Sequence, residues 1–329
     1  MPYEKIFDPN KQAKGINKNA QQDQRRAGDR RDGEVYVYEG AVDTGAVDEI
    51  VLAVNVALST GRPLLIYGPP GSGKSSLAPH VARCLGWRFH QAVVTSRTQA
   101  RDLLYRFDSV RRLNDAQIEG ALNKNLEAYI EPGVLWWAFN PVSAKRRGLP
   151  DDQELTFSEG AEPGDQPQHD HAVVLIDEID KADPDVPNNL LVPLGSYSFK
   201  VLETEREVKI RHTPLVIITT NDERELPKAF IRRCVVLTLK APKTERLVEI
   251  ARTHFGESGE ALYRDIARWV EKAGEENKAR KAPAPSTAEY LDAVNACAKL
   301  KIRVGEDSDE WKKVYAAVLR KRPEMDEKK

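Results

Sequence analysis

Leu64–Ser76 reads LLIYGPPGSGKSS. An apolar run of strand character breaks at Gly68 into a turn of glycine, proline and serine that ends in Gly73-Lys74-Ser75. A glycine, four spacer residues and Gly-Lys-Ser is the pattern of a phosphate-cradling P-loop, and it lies where such a loop must lie, between a strand and a helix. The glycines let successive backbone N–H groups turn towards one anion, and the following helix adds the positive end of its dipole. The loop would comprise Gly68, Pro69, Pro70, Gly71, Ser72, Gly73, Lys74, Ser75 and Ser76. Lys74 would neutralise the terminal phosphates, and the Ser75 hydroxyl would ligate Mg²⁺. An ordinary glycine-rich turn shares the glycines, but the strand before and the helix after it favour the phosphate loop.

The chain of 329 residues is long enough for a sizeable core and two domains. Lys and Arg number 50 against 51 for Asp and Glu, so the overall charge gives no argument for nucleic acid or membrane partners. Cys84, Cys234 and Cys297 are scattered and form no CxxC pair, which points to inert packing residues in a reducing compartment rather than a disulfide frame or zinc site. No stretch approaches ~18 uninterrupted apolar residues, and MPYEKIFDPNKQAKG lacks the apolar core of a signal peptide. A soluble, cytoplasmic protein is expected.

Residues 1–34 are polar, with RRAGDRRDG near their end, and are expected to be an extension, either solvated or wrapped on a neighbour. VYVY at 35–38 has strand character, and Val47–Leu58 carries apolar residues at helical spacing. Beyond the glycine loop, Ser76–Leu85 reads as a helix, Phe89–Val94 as a strand, and Asp102–Phe107 and Ala116–Ala128 as helices. Residues 138–171 fill with proline, glycine and acid, the composition of a long exposed insertion. Ala172–Ile176, Leu215–Thr219 and Val235–Leu239 are short continuous apolar runs, the mark of strands buried on both faces of a parallel sheet. Tyr197–Arg211 could form a small hairpin. Strands alternating with helices predict a doubly wound α/β domain over 35–241. From Pro242 the pattern is helical, with segments near Thr244–Phe255, Ala261–Glu271, Thr287–Leu300 and Glu310–Leu319, so a small all-helical domain is expected over 242–322, before a charged tail at 323–329.

Three further pieces could complete a hydrolytic site. VVLIDEID at 173–180 ends a strand in Asp177-Glu178, one carboxylate placed for a Mg²⁺ shell and the next free to polarise an attacking water. VIITTND ends in Asn221, at the carboxyl end of a central strand where open α/β sheets bind ligands. Arg232 and Arg233 close the stretch AFIRRC, where a guanidinium offered to a neighbour's γ-phosphate would stabilise charge growing in the transition state.

In order, GPPGSGKS, LIDEID, TTND and LPKAFIRRC resemble the AAA+ ATPases, and TSRTQARDLLYRFDSVRRL, DEIDKADPDVPNNLLVPL and NDERELPKAFIRRC resemble the MoxR and dynein-related group among them. The resemblance runs from about Val35 through the helical segments. It implies a five-stranded parallel sheet with a helical lid, ATP and Mg²⁺ as cofactors, and a ring, usually a hexamer, with each nucleotide at a subunit boundary. By position it makes Lys74 and Ser75 the phosphate and Mg²⁺ ligands, Asp177 the metal support, Glu178 the activator of water, Asn221 the first sensor, and Arg232 or Arg233 the finger acting on the adjacent subunit. It implies a remodelling or chaperone role on a client or effector protein, with von Willebrand factor A-type proteins among the partners. A regulatory switch in a stress or phage-defence system and a nucleic-acid-dependent motor drawing on the basic N-terminal arm are the alternatives. Thr287 stands where the group often carries a second sensor arginine, a task that could pass to Lys281.

Two smaller features complete the sequence. His169 and His171 flank Asp170 as a weak metal motif, and Trp136-Trp137 is expected to pack rather than stack on a ligand.

Overall fold

The computed structural model describes residues 4–12, 36, 48–118, 122–164, 166–279 and 284–320. The strand expected at 35–38 (Tyr36 apart), most of the N-terminal arm, Lys281 and the charged tail lie outside the described residues. Two compact units emerge, one of Met1–Lys14, Glu49–Tyr67 and Val81–Thr238, the other of Gly15–Asp48, Gly68–His80 and Leu239–Lys329.

The first unit is built on a five-stranded sheet. Its strands are β1 (Leu64–Tyr67), β2 (Arg88–Val93), β5 (Ala172–Asp177), β8 (Leu215–Thr220) and β9 (Val235–Thr238), in the order β2-β5-β8-β1-β9. Every neighbouring pair is parallel. Helices cover such a sheet on both sides, so its inner strands read as unbroken apolar runs: all six residues of β8 are buried, as are the first five of β5. The α/β sheet expected from those runs is what the chain forms. Two small antiparallel pairs accompany it, β3 (Tyr105–Phe107) with β4 (Ile130–Pro132) and β6 (Ser198–Val201) with β7 (Arg206–Lys209), the second being the hairpin expected within Tyr197–Arg211.

Two expectations are corrected. Asp102–Phe107 is not a helix: a single tight turn at Ala100–Leu103 leads into β3, where Tyr105 is buried and Arg106 exposed in the period of a strand. The helix expected at Ala116–Ala128 lies earlier, at Ser109–Gln117, capped by Asp108, and buries no residue; backbone at Ile118 is already extended. The insertion at 138–171 is exposed along most of its second half and is also fastened to the sheet. Asn140 caps a short helix at Pro141–Lys145, and Ala144 and Leu149 are buried. Arg88 on β2, only 3% exposed, donates to the carbonyls of Trp137, His169 and Asp170 at 2.8–3.1 Å. The Glu162 carboxylate pairs with Arg88 and stands 3.0 Å from His90 Nε2. Gln166 lays its side-chain amide along β2, accepting from Phe89 N at 2.9 Å and donating to Phe89 O at 2.8 Å. No periodic apolar signal announces this anchoring, because polar side chains and backbone carbonyls carry it.

Ile6 and Phe7 are also fixed. Phe7 is fully buried, and the Asn55 side chain accepts from Ile6 N and Phe7 N and donates to Phe7 O. The extension expected over 1–34 is therefore not wholly solvated.

In the second unit, helices Thr244–Phe255, Glu260–Ala279, Thr287–Leu300 and Asp309–Val314 bury Leu247, Ile266, Tyr290, Val294 and Trp311 against one another. Thr244–Phe255 and Thr287–Leu300 have the bounds the periodicity gave, whereas Glu260–Ala279 runs eight residues beyond the expected end at Glu271 and the last α-helix stops at Val314 rather than Leu319. Ser286 and Glu289 close a reciprocal capping box at the start of Thr287–Leu300, satisfying N–H groups that a helix start otherwise leaves unpaired.

Candidate functional site

The glycine loop begins immediately after β1, whose last residue, Tyr67, is in register with Thr220 of β8. Gly71 and Gly73 have φ of +76° and +91°, values that side chains other than glycine's adopt at a cost of about 1–2 kcal/mol. At Gly71 space enforces the same choice, since a Cβ would collide with the Ser286 Cβ and fall 2.7 Å from the Thr287 nitrogen. Lys74 is 6% exposed, and its ammonium donates to the carbonyls of Gly68 and Pro69 at 2.6 and 3.0 Å. The Ser72 hydroxyl is buried with no hydrogen-bond partner among the described residues. Ser75 and Ser76 lie in the first turn of the helix Lys74–Leu85. A buried cation turned on its own loop, an orphaned hydroxyl and left-handed glycines at a helix start together fit a polyphosphate. Thr287 meets the same loop, its hydroxyl donating to the Gly71 carbonyl.

Asp177 and Glu178 stand at the carboxyl end of β5. The Thr219 hydroxyl, on β8, donates to Asp177 Oδ1 and accepts from Glu178 N at 3.0 Å. One buried hydroxyl thus fixes both acidic residues. Glu178 adopts φ +60°, unusual for a residue with a side chain; such local strain is tolerated where surrounding bonds over-determine it. Its Oε2 accepts from Lys181 Nζ at 2.7 Å. This hydrogen bond, set against partial desolvation, raises the Lys181 pKa. Glu178 is held and oriented, but its carboxylate is shared.

Asn221 follows β8 directly, and its backbone N–H donates to Asp180 Oδ2 at 3.1 Å. Arg232 and Arg233 are both exposed at the end of the short helix Lys228–Ile231, which the fully buried Phe230 anchors. Arg62 Nη2 donates to the Arg232 carbonyl at 2.7 Å, tying that turn to the residues just before β1. Asp177, Glu178 and Asn221 thus stand at the carboxyl ends of adjacent strands, whereas the two arginines face outwards.

Thr219, Asp180 and Lys181 were not singled out in the sequence. Lys181 had a local signal, three residues beyond Glu178 on a tight turn; Thr219 and Asp180 act across more than forty residues of sequence, which no local pattern shows.

The remaining candidates resolve into packing. Trp136 and Trp137 are buried, Trp136 standing edge-on to Phe199 at 5.4 Å. Trp87 stacks on His169 and His171, and no group of three or more His, Cys, Asp or Glu residues among the described residues is placed to hold a metal ion. The three cysteines are buried and free. Burial pushes the thiols of Cys84 and Cys297 up to about 11 and that of Cys234 to about 12, so they stay protonated and unreactive. No helix among the described residues is long and apolar enough to cross a membrane.

The family model of the AAA domain (dynein-related subfamily) matches residues 63–234, more than half of the chain and the span from β1 to the paired arginines. No curated protein matches it. Members of this family are generally ATP-hydrolysing and commonly assemble into rings. The chain belongs to the AAA domain family, dynein-related subfamily, and so to the AAA+ ATPases.

Proposed function

We propose that this chain binds MgATP and hydrolyses it as a MoxR-like, ring-forming remodelling ATPase. The observation that carries the proposal is the Thr219 hydroxyl bridging Asp177 and Glu178 at the strand ends next to β1, because hydrolysis needs a metal support and a base held in fixed relation. Gly68–Ser76 cradles the phosphates through backbone N–H groups, and Lys74 exchanges the carbonyls of Gly68 and Pro69 for phosphate oxygens. Ser75 and Asp177 would hold Mg²⁺, which when bound would supply neutralisation of phosphate charge. Glu178 takes the proton of the attacking water, Asn221 orients that water, and Arg232 or Arg233 from the neighbouring copy in the ring, a hexamer by analogy, stabilises the leaving charge. Residues 242–322 act as a lid, with Thr287 replacing the second sensor arginine. The client is a separate protein whose conformation the ring changes.

Glu178→Gln tests the proposal. Turnover should fall by about 10²–10⁴-fold while ATP binding persists. Hydrolysis at the parental rate by this variant would refute the assignment of the base.

A second function is favoured by one observation, the Lys181–Glu178 ion pair. A base occupied by an ammonium makes basal hydrolysis slow, which suits a switch whose ATP state controls assembly on an effector. Stimulation of turnover by the client supports remodelling, whereas long retention of ATP in the assembled state supports the switch.

A further inference from the structure

Asp180 lies on the tight turn that follows β5, two residues beyond Glu178, and is 3% exposed. Its Oδ2 accepts two backbone N–H groups from the segment leaving β8, Asn221 at 3.1 Å and Glu223 at 3.0 Å. Asp222, between them, is left-handed with φ +62°, and its own N–H turns away to Thr220 Oγ1 at 2.9 Å. Backbone that points alternate N–H groups at one centre forms a nest for an anion. Here the anion is a side chain of the same protein. The other oxygen, Oδ1, is buried with no partner among the described residues. A half-satisfied buried carboxylate is costly, and the two charge-assisted bonds it does make are the compensation.

The consequence is mechanical. Glu178 opens the turn Ile179–Lys181 that contains Asp180, and the N–H of Glu178 is bound to Thr219 on β8. The turn that presents one functional carboxylate therefore also grips the backbone that presents Asn221. Beyond Thr220, Asn221 has left the ladder of β8, and regular pairing no longer sets the direction of its side chain.

We propose that Asp180 is a positioning residue for hydrolysis, fixing the Asn221 side chain relative to Glu178 through the Asn221 and Glu223 amides. The inference rests on the roles given above to Glu178 and Asn221. It predicts that Asp180→Ala lowers kcat for ATP by roughly 10- to 100-fold with KM little changed, the penalty for a small misplacement in a preorganised site. Asp180→Asn keeps an acceptor oxygen for both amides and should stay within about threefold of the parent. Because Asp180 acts through Asn221, the Asp180→Ala, Asn221→Ala double variant should be no slower than Asn221→Ala alone.

The experiment measures steady-state ATPase for these variants of the full chain together with hydrogen exchange at the Asn221 and Glu223 amides. Loss of amide protection in Asp180→Ala and its recovery in Asp180→Asn, with the same order in kcat, is the expected result. Multiplicative rate losses in the double variant, or parental kcat in Asp180→Ala, would overturn the positioning role. If the parent chain hydrolyses no ATP, the functional reading fails by itself. Exchange then still decides the clamp, which is overturned if both amides stay protected in Asp180→Ala. Should Asp180→Ala fail to fold, Asp180→Asn and the Asn221 variants remain, and an Asp180→Asn chain as slow as Asn221→Ala, with both amides unprotected, would equally overturn the proposal.

Discussion

Lys181 Nζ lies 2.7 Å from Glu178 Oε2, so the carboxylate proposed above as the base is paired with a cation from its own turn. The ammonium occupies one of the two oxygens and has to turn aside before water can bind there. Lys181→Ala should therefore raise basal ATP turnover severalfold, a small part of the roughly 10²–10⁴-fold that a general base contributes. Both side chains are partly exposed, so no large change in stability should accompany it. Unchanged or reduced turnover would show that the pair does not restrain the base.

The exposed Arg232 and Arg233 face away from their own core, which suits action on a neighbouring copy. Removing both arginines should cost about a thousandfold in kcat. Mixing that double variant with Lys74→Ala should restore part of the activity, since a mixed ring contains intact boundaries. If the mixture is no more active than its components, the arginines do not work between subunits.

Gly71 cannot accept a side chain without moving the start of Thr287–Leu300, which it touches through Ser286 and Thr287. Gly71→Ala combines a left-handed alanine, about 1–2 kcal/mol, with that clash. A Tm lower by roughly 4 °C or more and weakened binding of a fluorescent ATP analogue are expected. A Gly71→Ala chain that melts and binds like the parent would mean the loop and helix are not pressed together in solution.

Glu162 fastens the acidic insertion. Burial alone would raise its pKa, but the hydrogen bonds from His90 and Arg88 outweigh burial and hold the carboxyl below the usual carboxylate range. A folded pKa below the unfolded one means that the unfolded chain binds the proton more readily. The contribution to stability is thus present above the free carboxyl value of about 4.3 and is lost as pH falls through the folded pKa. Proteolytic nicking within 150–171 should rise in acid below about pH 4. Glu162→Gln should be nicked at neutral pH, with little further change on acidification. A cleavage rate independent of both pH and this substitution would remove Glu162 as the fastener.

The parts of the molecule that are legible in the sequence are those whose physics is local. β5 and β8 show because burial on both faces demands unbroken apolar runs, and Gly68–Ser75 shows because a phosphate loop needs fixed spacing along the chain. The helices of the second unit show because each is amphipathic. Ser109–Gln117 is misplaced because it buries nothing, so Val110 and Leu113 carry no information about a core. The anchoring of 138–171 through Arg88, Glu162 and Gln166 is invisible for a different reason: its partners lie 74 to 82 residues away in sequence and are mostly polar. The candidate site divides in the same way. Lys74, Asp177, Glu178 and Asn221 belong to recognisable strings, whereas Thr219 and Asp180 matter only once β5 and β8 are neighbours.

The Gln166 amide on Phe89 has a consequence for how crowded copies of this protein can meet. β2 is an outermost strand of the sheet, and an open strand border is a template on which another molecule can deposit a strand of its own. At Phe89 the peptide group is already engaged by a side chain of the same chain, so a foreign strand would first have to evict Gln166. When many copies assemble side by side, that small plug steers association away from sheet extension and its aggregates, and towards contacts made by other surfaces.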